Sequence, residues 1–251
     1  MKNVYYKSLR MGTAMTAVTL LSLLGAGQVR ALFLSDDSHL TLPSTGPRRP
    51  DRVQILNISD GADFETFSSP HAFPRLQGVG LASSHSNGIY LSRLADNYPA
   101  LSGLSITQEG CLDDHSVSYL RNFSRLRVLS IACPVSNAGL LFASLPESLR
   151  VLTLRLFNNT PNQNLRTKVE LPYIEKLVLI GYSLDQSFLN QLDAPRLRVL
   201  SLEHVRTPEG GFMNLANFPR LKVVDLLHTT VSASQIEPLK LQHIRIHIDN
   251  D

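Results

Sequence analysis

A six-residue phrase with aliphatic residues at its first, fourth and sixth positions recurs along this chain and constrains its fold more than any other feature. Close copies begin at Leu126, Leu149 and Leu197, where the phrase reads LRVLSI, LRVLTL and LRVLSL. The successive starts differ by 23, 25, 25, 23, 25, 23, 24 and 20 residues. A period of this size is typical of a solenoid of stacked repeats. The looser copies begin at Val53, Leu76, Leu101, Ile174, Leu221 and Leu241.

Within each repeat, the phrase predicts a half-buried β-strand. Its alternation, as at Leu129 and Ile131, turns aliphatic side chains inward and the side chains between them outward. The residues that follow have helix-like apolar spacing and predict short helices or irregular segments that return to the next strand. Candidate helix N-caps in these return segments are Asp113, Ser136, Asp185 and Ser232.

The phrase resembles the L-x-x-L-x-L pattern of leucine-rich repeat proteins, and its copies cover roughly residues 50–248. The resemblance implies an α/β fold, namely a leucine-rich repeat solenoid with a parallel β-sheet on the concave face and short helices or irregular returns on the convex side. The family often places Asn or Cys at the ninth position, where the side chain ties successive turns together. This chain departs from that pattern, because the ninth position holds residues such as Pro134, Phe157, Val205 and Thr229 and no asparagine ladder forms.

The repeats divide the chain into three predicted regions. Residues 53–251 form the leucine-rich repeat domain. Residues 32–52 form a linker or an N-terminal cap, since prolines interrupt them at positions 43, 47 and 50. Residues 1–31 predict a secretory signal peptide, because basic residues precede an uncharged, mostly apolar run and Val29 and Ala31 place small residues at the −3 and −1 positions of a cleavage site. We therefore expect an exported protein that is secreted, periplasmic or extracellular. The alternative is a signal anchor that holds residues 11–29 in a membrane.

The basic pI comes from the first 31 residues, which contain four basic residues and no acid. The remaining 20 basic and 21 acidic residues give a net charge of −1. The overall charge therefore gives no reason to expect binding to nucleic acid, or to an anionic membrane unless the N-terminal segment is retained.

Positions three, five and seven of each phrase are expected to face the concave side of the sheet. At positions five and seven the side chains are small and neutral in the first four repeats and larger, charged or apolar in the last five. A protein partner would therefore find its anchors in the second half, although a solvated face without function is the alternative. The predicted partner-binding residues are Arg155, Glu203, Asp225, Arg245 and His247.

Two histidines, His204 and His228, share the eighth position of adjacent repeats, which should place them about 5 Å apart along the sheet. A metal site that includes Glu203 or Asp225 is one interpretation, and a pH-sensitive contact patch is another. Ordinary surface histidines are the third. No recognised metal-ligand or catalytic spacing supports the first interpretation, so we predict no metal, no other cofactor and no catalytic residue.

The combined prediction is a secreted or periplasmic leucine-rich repeat protein, not an enzyme, that recognises another protein through its concave face. One alternative is a bacterial effector-like virulence protein that acts on a host partner, and another is a metal-dependent enzyme that uses the C-terminal histidines. The last predicted strand, 241–248, leaves an open edge, which predicts self-association through that strand.

Overall fold

The computed structural model describes residues 39–42, 50–59, 72–82, 87–107, 112–133, 135, 138–155, 168–181, 191–205, 217–229 and 231–249. The predicted signal segment, 1–31, lies outside these residues. So do two of the candidate helix caps, Ser136 and Asp185. Within the described ranges, no helix is long and apolar enough to cross a membrane.

A ten-stranded parallel sheet dominates the fold, and its strands follow one another in chain order. Two further strands, β7 and β9, pair with each other in the return segments. The bounds are β1 His39–Leu42, β2 Ile55–Ser59, β3 Gly78–Ala82, β4 Gly103–Thr107, β5 Val128–Ala132, β6 Val151–Arg155, β7 Val169–Glu170, β8 Lys176–Ile180, β9 Leu192–Asp193, β10 Val199–Glu203, β11 Val223–Leu227 and β12 Arg245–Asp249.

The register of β2 to β11 in this sheet follows the repeated phrase. Each third position pairs with the third position of the next repeat, as Val128 does with Val151 and Val199 does with Val223. The fourth and sixth positions point into the core, and Leu200 and Leu202 are fully buried there. The phrase therefore predicted the pairing of these strands and the side of the sheet that is buried.

The predicted start of the last repeat, at Leu241, is wrong by two residues. Residue 245 pairs with Val223, so it occupies the third position and the phrase begins at His243. Leu241 is 74% exposed, since it ends a helix instead of anchoring a strand. Because side chains alternate with a period of two, this shift leaves Arg245 and His247 on the face that was predicted for them.

A tight turn precedes each strand from β3 to β11 in the large sheet. The first-position residue donates its backbone N–H to the carbonyl three residues earlier, as Leu76 does to Phe73 and Leu221 does to Phe218. Five of these turns have proline at their second position, where its fixed φ is suitable. The residue before the proline is buried in each case, and these residues are Phe73, Tyr98, Leu171, Ala194 and Phe218.

The return segments contain four described helices, α1 Asn87–Asn97, α2 Asp114–Ser118, α3 Ala138–Ala143 and α4 Ala233–Leu241. Short 3₁₀ helices cover Pro50–Arg52 and Tyr119–Asn122. Helix α1 packs against α2, which packs against α3. The predicted cap Asp113 accepts the backbone N–H of Ser116 at 2.7 Å, and Ser232 directly precedes α4. One return segment contains strand β9, Leu192–Asp193, where the apolar spacing predicted a short helix or an irregular segment.

One continuous apolar core runs between the sheet and the return segments, from Val53 to Ile244. Strand β1 lies in the segment predicted as a linker or cap, and it extends the sheet beyond β2. The fold is therefore α/β, with a large parallel sheet and few helices, and it is compatible with a repeat solenoid.

Candidate functional site

The open face of the sheet is the side that carries the third, fifth and seventh positions of each strand. In the first half this face is closely packed with small or apolar residues, and Ser105, Ser130 and Thr153 are at most 5% exposed. In the second half its side chains, apart from the buried Ser201, are half-buried or exposed, including Lys176, Val199 and Leu227. A partner that lies on the open face would therefore reach side chains mainly between β6 and β12.

The predicted partner-binding residues all lie on this part of the open face. Arg155 is the exposed last residue of β6, and Glu203 is the half-buried last residue of β10. Ile180 of β8 lies between them in the register. The structure therefore keeps Arg155 apart from Glu203 by two strand spacings, or about 10 Å. Arg245 is exposed at the start of β12.

Asp225 and His247 form a hydrogen-bonded pair across β11 and β12. His247 Nδ1 lies 2.9 Å from Asp225 Oδ1, and their side chains are 57% and 22% exposed. Residue 247 lies directly opposite Asp225 in the register of β11 and β12, whereas the register that begins at Leu241 would not align them. The Nδ1–H group donates to the carboxylate, so the acid holds the imidazole in one orientation. Sequence reasoning placed both residues on this face but did not predict their pairing.

The chain turns into a left-handed backbone conformation at the eighth position, just after β8, β10 and β11. Gly181, His204 and His228 have φ values of 143°, 54° and 48°. Each donates its N–H to the last residue of the next strand; His204, for example, donates to the Leu227 carbonyl at 3.0 Å. Glycine adopts this conformation freely, whereas a histidine there is strained. Two of the three repeats therefore place histidine where glycine would fit without strain.

The left-handed histidines that follow β10 and β11 stack on each other. The ring centroids of His204 and His228 lie 4.8 Å apart, with an angle of 12° between the ring planes. His204 Nε2 lies 3.9 Å from Glu203 Oε1, close enough for an ion pair when the imidazole is protonated. The Glu203 carboxylate, the stacked rings and the Asp225–His247 pair thus occupy three neighbouring strands. We term Glu203, His204, Asp225, His228 and His247 the histidine cluster.

Within the described residues, no group of three or more His, Cys, Asp or Glu side chains could hold a metal ion. The His204 and His228 rings stack face to face and do not converge with Glu203 and Asp225 on one point. The arrangement presents ring faces, ring edges and carboxylates that can accept and donate hydrogen bonds at a surface.

Lys176 is a charged residue of the open face that sequence reasoning missed. It occupies the third position of β8, between Val151 and Val199, and is half-buried. The same position is valine in four neighbouring repeats, which begin at Leu126, Leu149, Leu197 and Leu221. The sequence did contain a signal for this residue, because one lysine replaces valine at the third position of neighbouring repeats. Its charge must reach the surface, so it marks a charged point on an otherwise apolar strip.

No protein-family model and no curated protein matches this chain. Among solved structures, the chain is similar to a Bacteroides fragilis protein whose crystal structure comes from a structural genomics programme. The two share 12% identity, the match covers 81% of this chain and 67% of the other, and the TM-score is 0.45. A similarity at this level supports no argument about function.

Proposed function

We propose that this protein is an exported leucine-rich repeat protein that recognises another protein through the second half of its open face. The nine predicted copies of the phrase and the parallel sheet in chain order support the repeat assignment. In such a solenoid the open face is concave, and its side chains are available to a partner.

The observation that carries the proposal is the histidine cluster. Two strained, stacked histidines lie beside carboxylates of neighbouring strands on the same part of the sheet. Strained backbone is retained where the surrounding structure and a function favour it. Stacked rings and fixed carboxylates are rigid and lose little side-chain entropy on contact with a partner. The contact would therefore centre on β10 to β12, with Arg155 and Arg245 at its margins.

The test is capture of partners by the full chain, followed by comparison of three proteins against the captured partner. The first is the wild type, and the second carries Glu203→Ala, Asp225→Ala and Arg245→Ala. The third is a matched control that also removes two acids and one base, at exposed positions of the return segments, by Glu170→Ala, Glu237→Ala and Lys240→Ala.

We expect the open-face variant to bind at least about tenfold more weakly, since truncation of a hot-spot contact costs about 2 kcal/mol or more and a loss of about 1.4 kcal/mol is already tenfold in affinity. The control should bind like the wild type. Far-UV circular dichroism should be the same for all three proteins. Unchanged affinity of the open-face variant would exclude this face as the binding site.

Fractionation of the producing cells and their medium tests the export component. Protein in the medium or periplasm supports an exported binding protein. Delivery into a second cell would instead support the effector-like alternative.

A further inference from the structure

Exposed basic residues line the side of the sheet where the strands begin. In the tight turns before β5, β10 and β11, one basic residue precedes the buried first-position leucine and another follows it. We term these six residues the basic rim. They are Arg125, Arg127, Arg196, Arg198, Arg220 and Lys222, and all six are exposed.

Backbone hydrogen bonds fix the points from which these side chains project. The leucines between them, Leu126, Leu197 and Leu221, are at most 8% exposed and are held by the hydrogen bond that closes each turn. The second-position backbone joins one repeat to the next, as where Lys222 donates its N–H to the Arg198 carbonyl at 2.9 Å. Because the leucine points inward, its two neighbours project outward at the rim.

The basic rim has few counter-charges. In the described part of the chain, no carboxylate oxygen lies within 4.0 Å of a nitrogen of Arg125, Arg127, Arg198, Arg220 or Lys222. The acids in the turns before β5, β6, β8, β10 and β11 are Glu147 and Glu175. Glu175 lies 3.8 Å from Arg150 and is paired with it. Like charges on adjacent strands repel, so the rim carries an electrostatic cost that an anionic partner would remove.

Tyr173 provides an apolar surface at the centre of the rim. Its half-buried ring lies between two guanidinium groups, with Arg150 Cζ at 5.8 Å and Arg196 Cζ at 5.7 Å from the ring centroid. A partner that covers both ends of the rim would therefore contact an aromatic ring between them.

The chemistry and the spacing of the rim select among anionic partners. Five of its six residues are arginines, whose planar forks suit carboxylates and phosphates. Adjacent strands are about 4.8 Å apart. This spacing separates the rim residues of β10 from those of β11, and carboxylates one helical turn apart, about 5.4 Å, are close to it. The rim residues of β5 lie three strand spacings from those of β10, about 14 Å, which is comparable to three helical turns, about 16 Å. Same-face residues of an extended chain are about 6.6 Å apart, and phosphates along a strand of B-DNA rise by about 3.4 Å.

We propose that the basic rim binds an acidic α-helix of another protein, laid along the starts of strands β5 to β11. The four strand spacings of this stretch span about 19 Å, which corresponds to about 13 helical residues. Glutamates or aspartates on one helix face pair with the arginines, and an apolar residue near the middle packs on Tyr173. This surface is separate from the histidine cluster and does not depend on the function proposed for it.

Binding of a synthetic helical peptide to the full chain tests this proposal. The probe has about 18 residues, with glutamates spaced three and four apart on one face and leucine at the centre. One reference peptide has the same composition with the glutamates distributed around the helix. A single-stranded oligonucleotide and vesicles with anionic lipid are the other probes.

We expect the one-faced peptide to bind at least about tenfold more tightly than the reference peptide, and binding to weaken as salt increases. The variant with Arg127→Glu, Arg198→Glu and Lys222→Glu should lose this binding. If that variant is unfolded by circular dichroism, Arg127→Gln, Arg198→Gln and Lys222→Gln replace it with the same expected loss.

A variant with Glu203→Ala and Asp225→Ala, both on the open face and away from the strand starts, should bind the peptide like the wild type, which separates this surface from the open face. The proposal is overturned if the one-faced peptide does not bind, or if the reference peptide binds equally well. Tighter binding of the oligonucleotide or the vesicles than of the peptide also overturns it.

Discussion

The backbone N–H of Val205 donates a hydrogen bond to Oγ1 of Thr229 at 3.3 Å and thereby joins two successive repeats. Both residues are at most 3% exposed. Thr229 Oγ1 also lies 3.1 Å from the Leu202 carbonyl and 2.9 Å from the Leu227 carbonyl, and its single proton can serve either. Thr229 occupies the ninth position of its repeat, so at this turn a threonine hydroxyl ties two successive repeats together.

Replacement of the Thr229 hydroxyl should therefore destabilise the protein. We expect Thr229→Val to lower the free energy of unfolding by about 1–3 kcal/mol, because the buried N–H of Val205 loses its acceptor. Thr229→Ser keeps the hydroxyl and should recover most of that loss. Urea denaturation measures both variants. Equal stability of Thr229→Val and the wild type would show that the bond contributes nothing.

The corrected register of the last repeat predicts opposite results for two leucines of α4. Leu239 is fully buried, whereas Leu241 is 74% exposed. Leu239→Ala should cost about 2–5 kcal/mol through loss of packing, whereas Leu241→Ala should change stability by less than about 0.5 kcal/mol. Thermal and urea denaturation of the two variants provide the comparison. If Leu241→Ala lost more stability than Leu239→Ala, the last repeat would begin at Leu241 and the register given above would be wrong.

The N-cap of α2 predicts a pH-dependent contribution to stability. Hydrogen bonds from Ser116 hold the pKa of Asp113 below its ordinary value. A carboxyl group whose pKa is lower in the folded state than in the unfolded state stabilises the fold when it is ionised. This stabilisation is complete above the unfolded-state pKa, about 3.9, and is lost as the pH falls through the folded-state pKa. Asp113→Ala should cost about 1 kcal/mol at neutral pH.

The stability difference between Asp113→Ala and the wild type should shrink below about pH 4. Asp113→Asn retains an acceptor for Ser116 and should remain close to the wild type in stability at neutral pH. Denaturant titrations at several pH values measure these differences. A constant difference across the acidic range would contradict the role of the ionised carboxylate.

Strand β12 ends the order of the large sheet and predicts self-association. In the described structure its outer side faces no further strand, and Ile248 is 45% exposed. We expect a larger species in light scattering at high concentration, and Ile248→Lys should reduce it because a charge on an edge strand opposes pairing. A monodisperse monomer at high concentration would refute the prediction.

The phrase predicted most of the sheet because a period-two alternation inside a period near 24 residues fixes both the pairing and the buried face. The exceptions were strand β1, which lies before the first copy of the phrase, and the last repeat. Leu241 matched the first position by residue type, but helix α4 extends to it, and sequence spacing could not distinguish a helix end from a strand anchor.

The candidate site was predicted only in outline. The sequence placed Glu203, Asp225 and His247 on one face, but the pairing of the last two depended on the register of β12. The basic rim escaped notice because the total charge beyond residue 31 nearly cancels. Composition counts acids and bases without regard to position. In a parallel sheet every strand begins on the same side, so bases that precede several strands gather there although acids elsewhere balance them in number.

The order of strands in the large sheet has a consequence for how the chain can fold. Paired residues are 16 to 25 positions apart in sequence, as His39 and Ile55 or Gly78 and Gly103 show. Among the described strands of this sheet, each therefore pairs with a near neighbour in sequence, and the loop-closure entropy of each step is small and similar. The sheet can grow by one repeat at a time as the chain emerges during synthesis.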